Sequence, residues 1–143
     1  MVLFTTTCKK TDNSNEDPGS LPDVELKTKV VVSGLTLPWE MVYGPDNFIW
    51  FTEKAGKISR LNPSTGQITP LLTISEVRTN GEGGLLGMVL HPDFTDNPYV
   101  YVIYGYGSTY KAKVVRYTYS GGNLTGPLVL LDQIPAASMA HAC

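Results

Sequence analysis

Glu82, His91 and His141 are the side chains of this chain whose types and surroundings best suit hydrogen bonding and proton transfer. Glu82 lies in the glycine-rich stretch at residues 80–84, where glycines allow a tight backbone beside the carboxylate. A neutral histidine is able to take up a proton near neutral pH, because its unperturbed pKa is about 6.5. The glycine-rich stretch lacks the Lys-Ser/Thr pair that follows the glycines of a P-loop, so it is not a phosphate cradle.

His91 and Asp93 lie in a turn that the chain also contains upstream, as Gly-Pro-Asp at residues 44–46. The upstream copy has no histidine, which favours a structural interpretation of both residues, with Asp93 tying the turn together through the backbone. The acidic residues Glu40, Glu53 and Asp132 have no metal-ligand spacing.

The composition fits one folded domain and excludes several classes of function. Of the 143 residues, 42% are apolar, enough for a packed core, and the formal net charge of -2 argues against a nucleic-acid partner. No run of roughly 20 apolar residues predicts a membrane-spanning helix. The 14 glycines, 10 prolines and 8 tyrosines favour an all-β fold with many turns.

Turn signals divide the chain into short predicted strands that repeat once. The first set of four comprises residues 39–43, 48–52, 57–61 and 67–72, and the second comprises residues 85–90, 99–104, 113–117 and 128–131. The Pro-Asp pairs of the two sets lie 47 positions apart (92 − 45). A four-stranded unit that recurs every ~40–50 residues is typical of a β-propeller blade.

The predicted fold is therefore an all-β propeller of which residues 27–143 form the first two blades. Two blades do not close a ring, since propellers have about four to eight. We expect the chain to be an N-terminal part of a larger propeller, with residues 27–32 as an extra strand that would pair with the last blade. Trp39, Trp50, Tyr101 and Tyr104 are predicted to pack between blades, and stacking of one of them on a sugar is the alternative. The alternative fold is a self-contained β-sandwich of about eight strands.

Residues 1–26 differ in composition from the rest of the chain. A short apolar stub and small residues precede Cys8, and a polar tether with Pro and Gly follows it. This order resembles the end of a bacterial lipoprotein signal, in which the cysteine becomes lipidated; the alternative is an ordinary terminus. Cys8 and Cys143 are interpreted as two unpaired thiols, and a disulfide between them is the alternative.

Several strings of residues carry a family resemblance. Leu-Pro-Trp-Glu-Met at residues 37–41 and Ile-Trp-Phe-Thr-Glu at 49–53 come first. Gly-Gly-Leu-Leu-Gly at 83–87 and His-Pro-Asp-Phe at 91–94 follow. Together they resemble the opening blades of the soluble quinoprotein glucose dehydrogenases and aldose sugar dehydrogenases, the glucose/sorbosone dehydrogenase family. The resemblance covers residues 31–141.

The resemblance implies a six-bladed propeller that binds pyrroloquinoline quinone (PQQ) with calcium and oxidises an aldose at its anomeric carbon to a lactone. It implies that His141 is the catalytic base and that Glu82 faces the sugar, while most cofactor ligands come from later blades. It also implies a bacterial periplasmic or outer-membrane-anchored location, with a membrane tether if Cys8 is lipidated. The electron acceptor and any dimerisation of the parent stay open. The 143-residue chain alone is expected to be inactive, and a non-catalytic sugar- or protein-binding propeller is the alternative function.

Overall fold

The computed structural model describes residues 25–136, which are all-β. Turn residues separate the strands, and β-branched and aromatic residues fill them, as a pleated and half-buried surface favours. The eight strands are β1 (Pro38–Tyr43), β2 (Ile49–Glu53), β3 (Lys57–Leu61), β4 (Ile68–Thr73), β5 (Leu85–Leu90), β6 (Tyr99–Tyr106), β7 (Lys111–Ser120) and β8 (Asn123–Pro135). The described chain contains no helix of the length and hydrophobicity that a bilayer crossing needs.

The strands form two separate four-stranded sheets, each an antiparallel meander in sequence order. The first sheet contains β1 to β4 and the second contains β5 to β8. The register repeats as well, since Trp50 pairs with Arg60 in the first sheet and Tyr101 pairs with Arg116 in the second. Two equivalent meanders confirm the predicted propeller blades. A sandwich of the immunoglobulin type would instead interleave its strands through Greek-key connections.

The core lies between the two sheets, where β1 and β2 face β5 and β4 faces β8. Trp50 is completely buried, and its ring makes edge-on contacts with Phe94 and Tyr119 of the second sheet, with centroids 5.4 and 5.1 Å away. Its indole nitrogen donates to Asp46 Oδ1 at 3.0 Å. One indole therefore joins the first turn of its own sheet to the apolar face of the next.

The meander order sorts the connections into two ends. One end, which we call the glycine-rich end, carries the segments that enter β1 and β5, the β2–β3 and β6–β7 turns, and the last residues of β8. The opposite end, the Pro-Asp end, carries the β1–β2, β3–β4, β5–β6 and β7–β8 turns. This follows from the pairing of Pro38 with Glu53 and of Lys111 with Pro135 at one end, and of Tyr43 with Ile49 at the other.

Residues 27–32 form no strand and are exposed or half-buried, and the described residues contain no last blade with which they could pair, so that prediction stays untested. Two other features of the described residues differ from the sequence prediction. Strand β8 extends from Asn123 to Pro135, well beyond the predicted residues 128–131. Trp39 is 47% exposed and so does not pack between the two sheets, while Lys54 lies over its ring. The predictions for Cys8, His141 and Cys143 fall outside the described residues.

Candidate active-site end

The glycine-rich loop at residues 79–84 crosses from the first sheet to the first strand of the second. Its backbone folds on itself, because Gly83 donates to the carbonyl of Asn80 at 2.8 Å and Asn80 donates back at 3.3 Å. The Lys54 ammonium donates to the carbonyl of Gly81 at 2.5 Å, and the Lys54 carbonyl accepts from Leu85 at 2.9 Å. The loop is thus tied to the β2–β3 turn of the preceding sheet on both sides of Glu82.

The side chain of Tyr110 packs against this loop. Its side chain reaches from the β6–β7 turn into space that only glycines leave open: a Cβ on Gly83 would lie 1.8 Å from the Tyr110 hydroxyl, and one on Gly105 would lie 2.0 Å from it. Burial raises the pKa of the Tyr110 phenol, so the hydroxyl stays neutral at physiological pH. Gly83 and Gly105 are therefore required because any larger side chain would collide with Tyr110.

Replacing Gly105 by Ala should destabilise the chain by about 2–4 kcal/mol, because the new methyl group meets the ring of Tyr110 as well as its hydroxyl. Gly121→Ala is the matched control, since a Cβ there meets nothing within 4 Å although the φ of +58° is mildly strained for alanine. Urea unfolding followed by circular dichroism measures both. Equal losses for the two variants would show that Tyr110 does not fill this space.

Glu76 anchors the start of the same crossing segment. One carboxylate oxygen accepts from the Tyr104 hydroxyl at 2.6 Å, and the other accepts from the Lys113 ammonium at 2.7 Å. Partial burial raises the pKa of Glu76, but the hydrogen bonds from Lys113 and Tyr104 together lower it below the ordinary value. Lys113 also lies over the ring of Tyr106, 4.3 Å from its centroid. Sequence reasoning missed this cluster, because its members come from one loop and two strands far apart in the chain.

The structure places Glu82 on the exposed part of the glycine-rich loop. Strand β8 ends at Pro135 at this same end, and His141 follows six positions later (141 − 135), outside the described residues. The Glu82 loop and Pro135, the last residue of β8, therefore lie at the same end of the sheets. A cleft of about 330 Å³ opens beside the loop, between Leu37, Lys54 and Asn80.

His91 and Asp93 lie at the Pro-Asp end, on the far side of the sheets from Glu82. His91 Nδ1 accepts from the backbone N–H of Asp93 at 3.1 Å, and its ring stacks on Tyr101. The Asp93 side chain accepts from Asn97 at 3.1 Å, and its carbonyl accepts from the Asn97 N–H at 2.8 Å. Both residues stabilise their turn, as the repeat of that turn predicts.

Comparison with known proteins identifies the family. Residues 35–143 match the model of one protein family, which is described as Glucose / Sorbosone dehydrogenase. The chain belongs to the glucose/sorbosone dehydrogenase family. This agrees with the resemblance that the sequence strings carry.

Several members of the glucose/sorbosone dehydrogenase family are similar in sequence. Quinoprotein glucose dehydrogenase B of Acinetobacter calcoaceticus is 39% identical over 126 residues, which cover 76% of this chain and 26% of that protein. Aldose sugar dehydrogenase YliI of Escherichia coli is 30% identical over 80 residues, which cover 55% of this chain and 22% of that protein. The chain thus spans about a quarter of the length of these relatives.

Solved structures of the family share the fold. The PQQ-bound aldose sugar dehydrogenase of Streptomyces coelicolor superposes with a TM-score of 0.70 at 30% identity, over 78% of this chain and 34% of that one. The soluble aldose sugar dehydrogenase of Escherichia coli, in its apo form, gives 0.60 at 28% identity, over 68% and 30%. The two sheets of this chain correspond to about a third of each related structure, which is the share that two of six equal blades would have.

The described residues do not form a binding site for the cofactors that the family resemblance implies. Residues 25–136 bring no three His, Cys, Asp or Glu side chains together that could hold a metal ion such as calcium. PQQ carries carboxylates, which need cationic partners. The cations next to the glycine-rich loop already have protein partners: Lys54 donates to Gly81, and Arg78 donates to the carbonyls of Gly107 and Ser108 at 2.8 and 3.0 Å.

Proposed function

We propose that this chain supplies two successive blades of a PQQ- and calcium-dependent dehydrogenase that oxidises the anomeric carbon of an aldose to a lactone. The observation that carries the proposal is the meander topology, which brings the Glu82 loop and Pro135, six positions before His141, to the same end. Family membership supports the reaction class. The remaining cofactor and substrate ligands belong to blades outside residues 25–136, so the 143-residue chain alone is inactive in this proposal.

Each of the two residues has a distinct role in this proposal. His141 removes the proton of the anomeric hydroxyl, which a neutral imidazole does well near neutral pH. Glu82 accepts hydrogen bonds from sugar hydroxyls, and its negative charge strengthens them. The loop that carries Glu82 is held by its hydrogen bonds with Lys54 and by its packing against Tyr110, and this fixes the position of the carboxylate. The quinone, when bound, supplies the redox chemistry.

The proposal includes a bacterial periplasmic or outer-membrane-anchored location, with Cys8 as the lipidated residue. Its support is the order of residues around Cys8, which resembles the end of a lipoprotein signal. Metabolic labelling with a fatty-acid analogue tests this part by itself: the proposal expects label on the wild type and none on Cys8→Ser.

A chimera tests the catalytic proposal. Residues 35–143 would replace the matching segment of quinoprotein glucose dehydrogenase B, and dye reduction with glucose, PQQ and calcium would measure activity. In an active chimera, Glu82→Ala should raise KM by about 10–100-fold, since a hydrogen bond to a charged group contributes roughly 1.5–3 kcal/mol. Asp96→Asn, an exposed carboxylate at the Pro-Asp end, is the control and should leave KM unchanged.

A chimera that folds and binds PQQ yet oxidises no aldose would contradict the catalytic proposal. If such a chimera still bound glucose in calorimetry, a sugar-binding propeller would replace it. An unchanged KM for Glu82→Ala in an active chimera would remove Glu82 from the site and leave the reaction class standing.

A further inference from the structure

Arg78 ties the crossing segment to the second sheet, four positions before Glu82 (82 − 78). Its backbone N–H donates to the carbonyl of Gly105 at 2.9 Å, and the residue before it forms an isolated bridge with Tyr106. The crossing segment therefore lies against the end of β6 before the chain turns into the glycine-rich loop.

The guanidinium of Arg78 binds the turn that follows β6. It donates to the carbonyl of Gly107 at 2.8 Å and to that of Ser108 at 3.0 Å. Hydrogen bonds from a charged donor are shorter and stronger than those between neutral groups. The two acceptors lie 29 and 30 positions along the chain from Arg78, so the contact fixes the β6–β7 turn relative to the crossing segment.

The β6–β7 turn carries the side chain that packs against the glycine-rich loop. Tyr110 is the last residue of this turn before β7 begins. It is 8% exposed, and a Cβ on Gly83 would lie 1.8 Å from its hydroxyl, so the turn has no room to move towards the loop. Arg78 thereby acts on the backbone of residue 83 through Tyr110, and residue 83 directly follows Glu82.

The first sheet lacks the residues for an equivalent contact. Its β2–β3 turn comprises residues 54–56, whereas the β6–β7 turn comprises residues 107–110 and is one residue longer. The shorter turn contains no tyrosine, and the residue 47 positions before Arg78 (78 − 47) is Val31, whose side chain has no donor. The blade repeat therefore does not require this arginine and tyrosine, and their contact belongs to the loop that carries Glu82.

We propose that Arg78 is a positioning residue for Glu82: it holds the β6–β7 turn, and through Tyr110 the glycine-rich loop, at the place where the carboxylate meets the sugar. Arg78 itself touches no substrate, and the inference rests on the proposed function of Glu82. Lys54 holds the other side of the loop from the first sheet. Each of the two blades thus contributes one cation, and both cations donate to backbone carbonyls.

Steady-state kinetics of the active chimera test the effect on sugar binding. Arg78 is exposed, so its replacement should leave the fold intact. Arg78→Met keeps much of the side-chain length and removes the donors, and it should raise KM for glucose by about 5–10-fold with kcat within about twofold, as the loss of one or two hydrogen bonds predicts. Arg78→Lys keeps the charge and should restore most of the affinity. Lys111→Met is the matched control, because this cation at the same end donates to Gln133 instead, and it should leave KM unchanged.

A double-mutant cycle separates positioning from a general loss of structure. If Arg78 acts through Glu82, Arg78→Met should change KM by less than about twofold in a chimera that already carries Glu82→Ala. An equal rise in KM in both backgrounds would overturn the proposal, and so would a fall in kcat at unchanged KM.

Hydrogen exchange of the 143-residue chain gives a readout that needs no activity. The amides of Asn80 and Gly83 donate to each other's carbonyls, whereas the amide of Leu85 donates to Lys54 of the first sheet. Arg78→Met should speed exchange at residues 80 and 83 by about tenfold and leave Leu85 unchanged, since only the loop loses its support. Unchanged exchange at residues 80 and 83 would overturn the proposal whatever the chimera does. An inactive chimera would count against the proposed function alone, and the exchange result would then decide whether Arg78 holds the loop.

Discussion

Replacing His141 by Asn in the active chimera should lower kcat/KM for aldose oxidation by about 10²–10⁴-fold, the usual contribution of a positioned general base. Asparagine approximates the size of the imidazole and its hydrogen bonding, but it does not take up the hydroxyl proton. The loss should appear mainly in kcat, since removing a base affects the transition state more than sugar binding. Steady-state kinetics with glucose measures both parameters.

The control for this prediction is His91→Asn. His91 lies at the Pro-Asp end and stabilises a turn through its Nδ1, so its replacement should alter stability and leave kcat of the folded chimera unchanged. Added imidazole should restore part of the activity of His141→Ala. A His141→Asn chimera with the kcat of the unmodified chimera would show that the proton goes elsewhere.

Replacing Trp50 by Ala should destabilise the chain by about 3–5 kcal/mol, which is enough to unfold a marginal domain. The side chain is completely buried and contacts Phe94 and Tyr119 across the interface between the sheets. Truncation would leave a cavity between the sheets and remove the hydrogen bond from the indole to Asp46. Thermal and urea unfolding followed by circular dichroism measure the loss.

Trp39→Ala is the matched control, because the same residue type lies half exposed on β1. This change should cost about 1 kcal/mol or less. If both variants lost the same stability, Trp50 would not be the residue that joins the two sheets. The blade interpretation would then lose its principal packing contact.

The repeat and its turns were predictable from the sequence because they depend on local residue types. Proline at residue 45 and at residue 92, each followed by aspartate, marks the same turn twice, and branched or aromatic runs follow each turn. This local pattern predicted β3 and β5 with their observed bounds. The same repeat predicted a structural role for His91, because the turn in which it lies occurs in both sheets and so belongs to the fold.

Features that depend on pairing were not predictable in the same way. Gly126 and Pro127 indicate a break, yet β8 passes through them, because irregular register opposite β7 absorbs the two residues. Residues 27–32 have a strand-like composition but no partner strand among the described residues. The Glu76, Tyr104 and Lys113 cluster depends on contacts between residues 28 and 37 positions apart, which periodicity does not show.

The candidate site was predictable only in its residue types. Nothing local to Glu82 indicates that it shares an end of the sheets with Pro135, the last residue of β8; the meander order of the two sheets establishes that. Tyr110 was missed as the support of the glycine-rich loop, because its role depends on the space that Gly83 and Gly105 leave.

A crystal structure of the chimera with bound PQQ and glucose tests the central claim most directly, namely that the glycine-rich end of these two blades faces the substrate. The claim predicts sugar density at that end, with the Glu82 carboxylate and the His141 imidazole within hydrogen-bond distance of sugar hydroxyls. Sugar bound at the Pro-Asp end, beside His91 and Asp93, would contradict it.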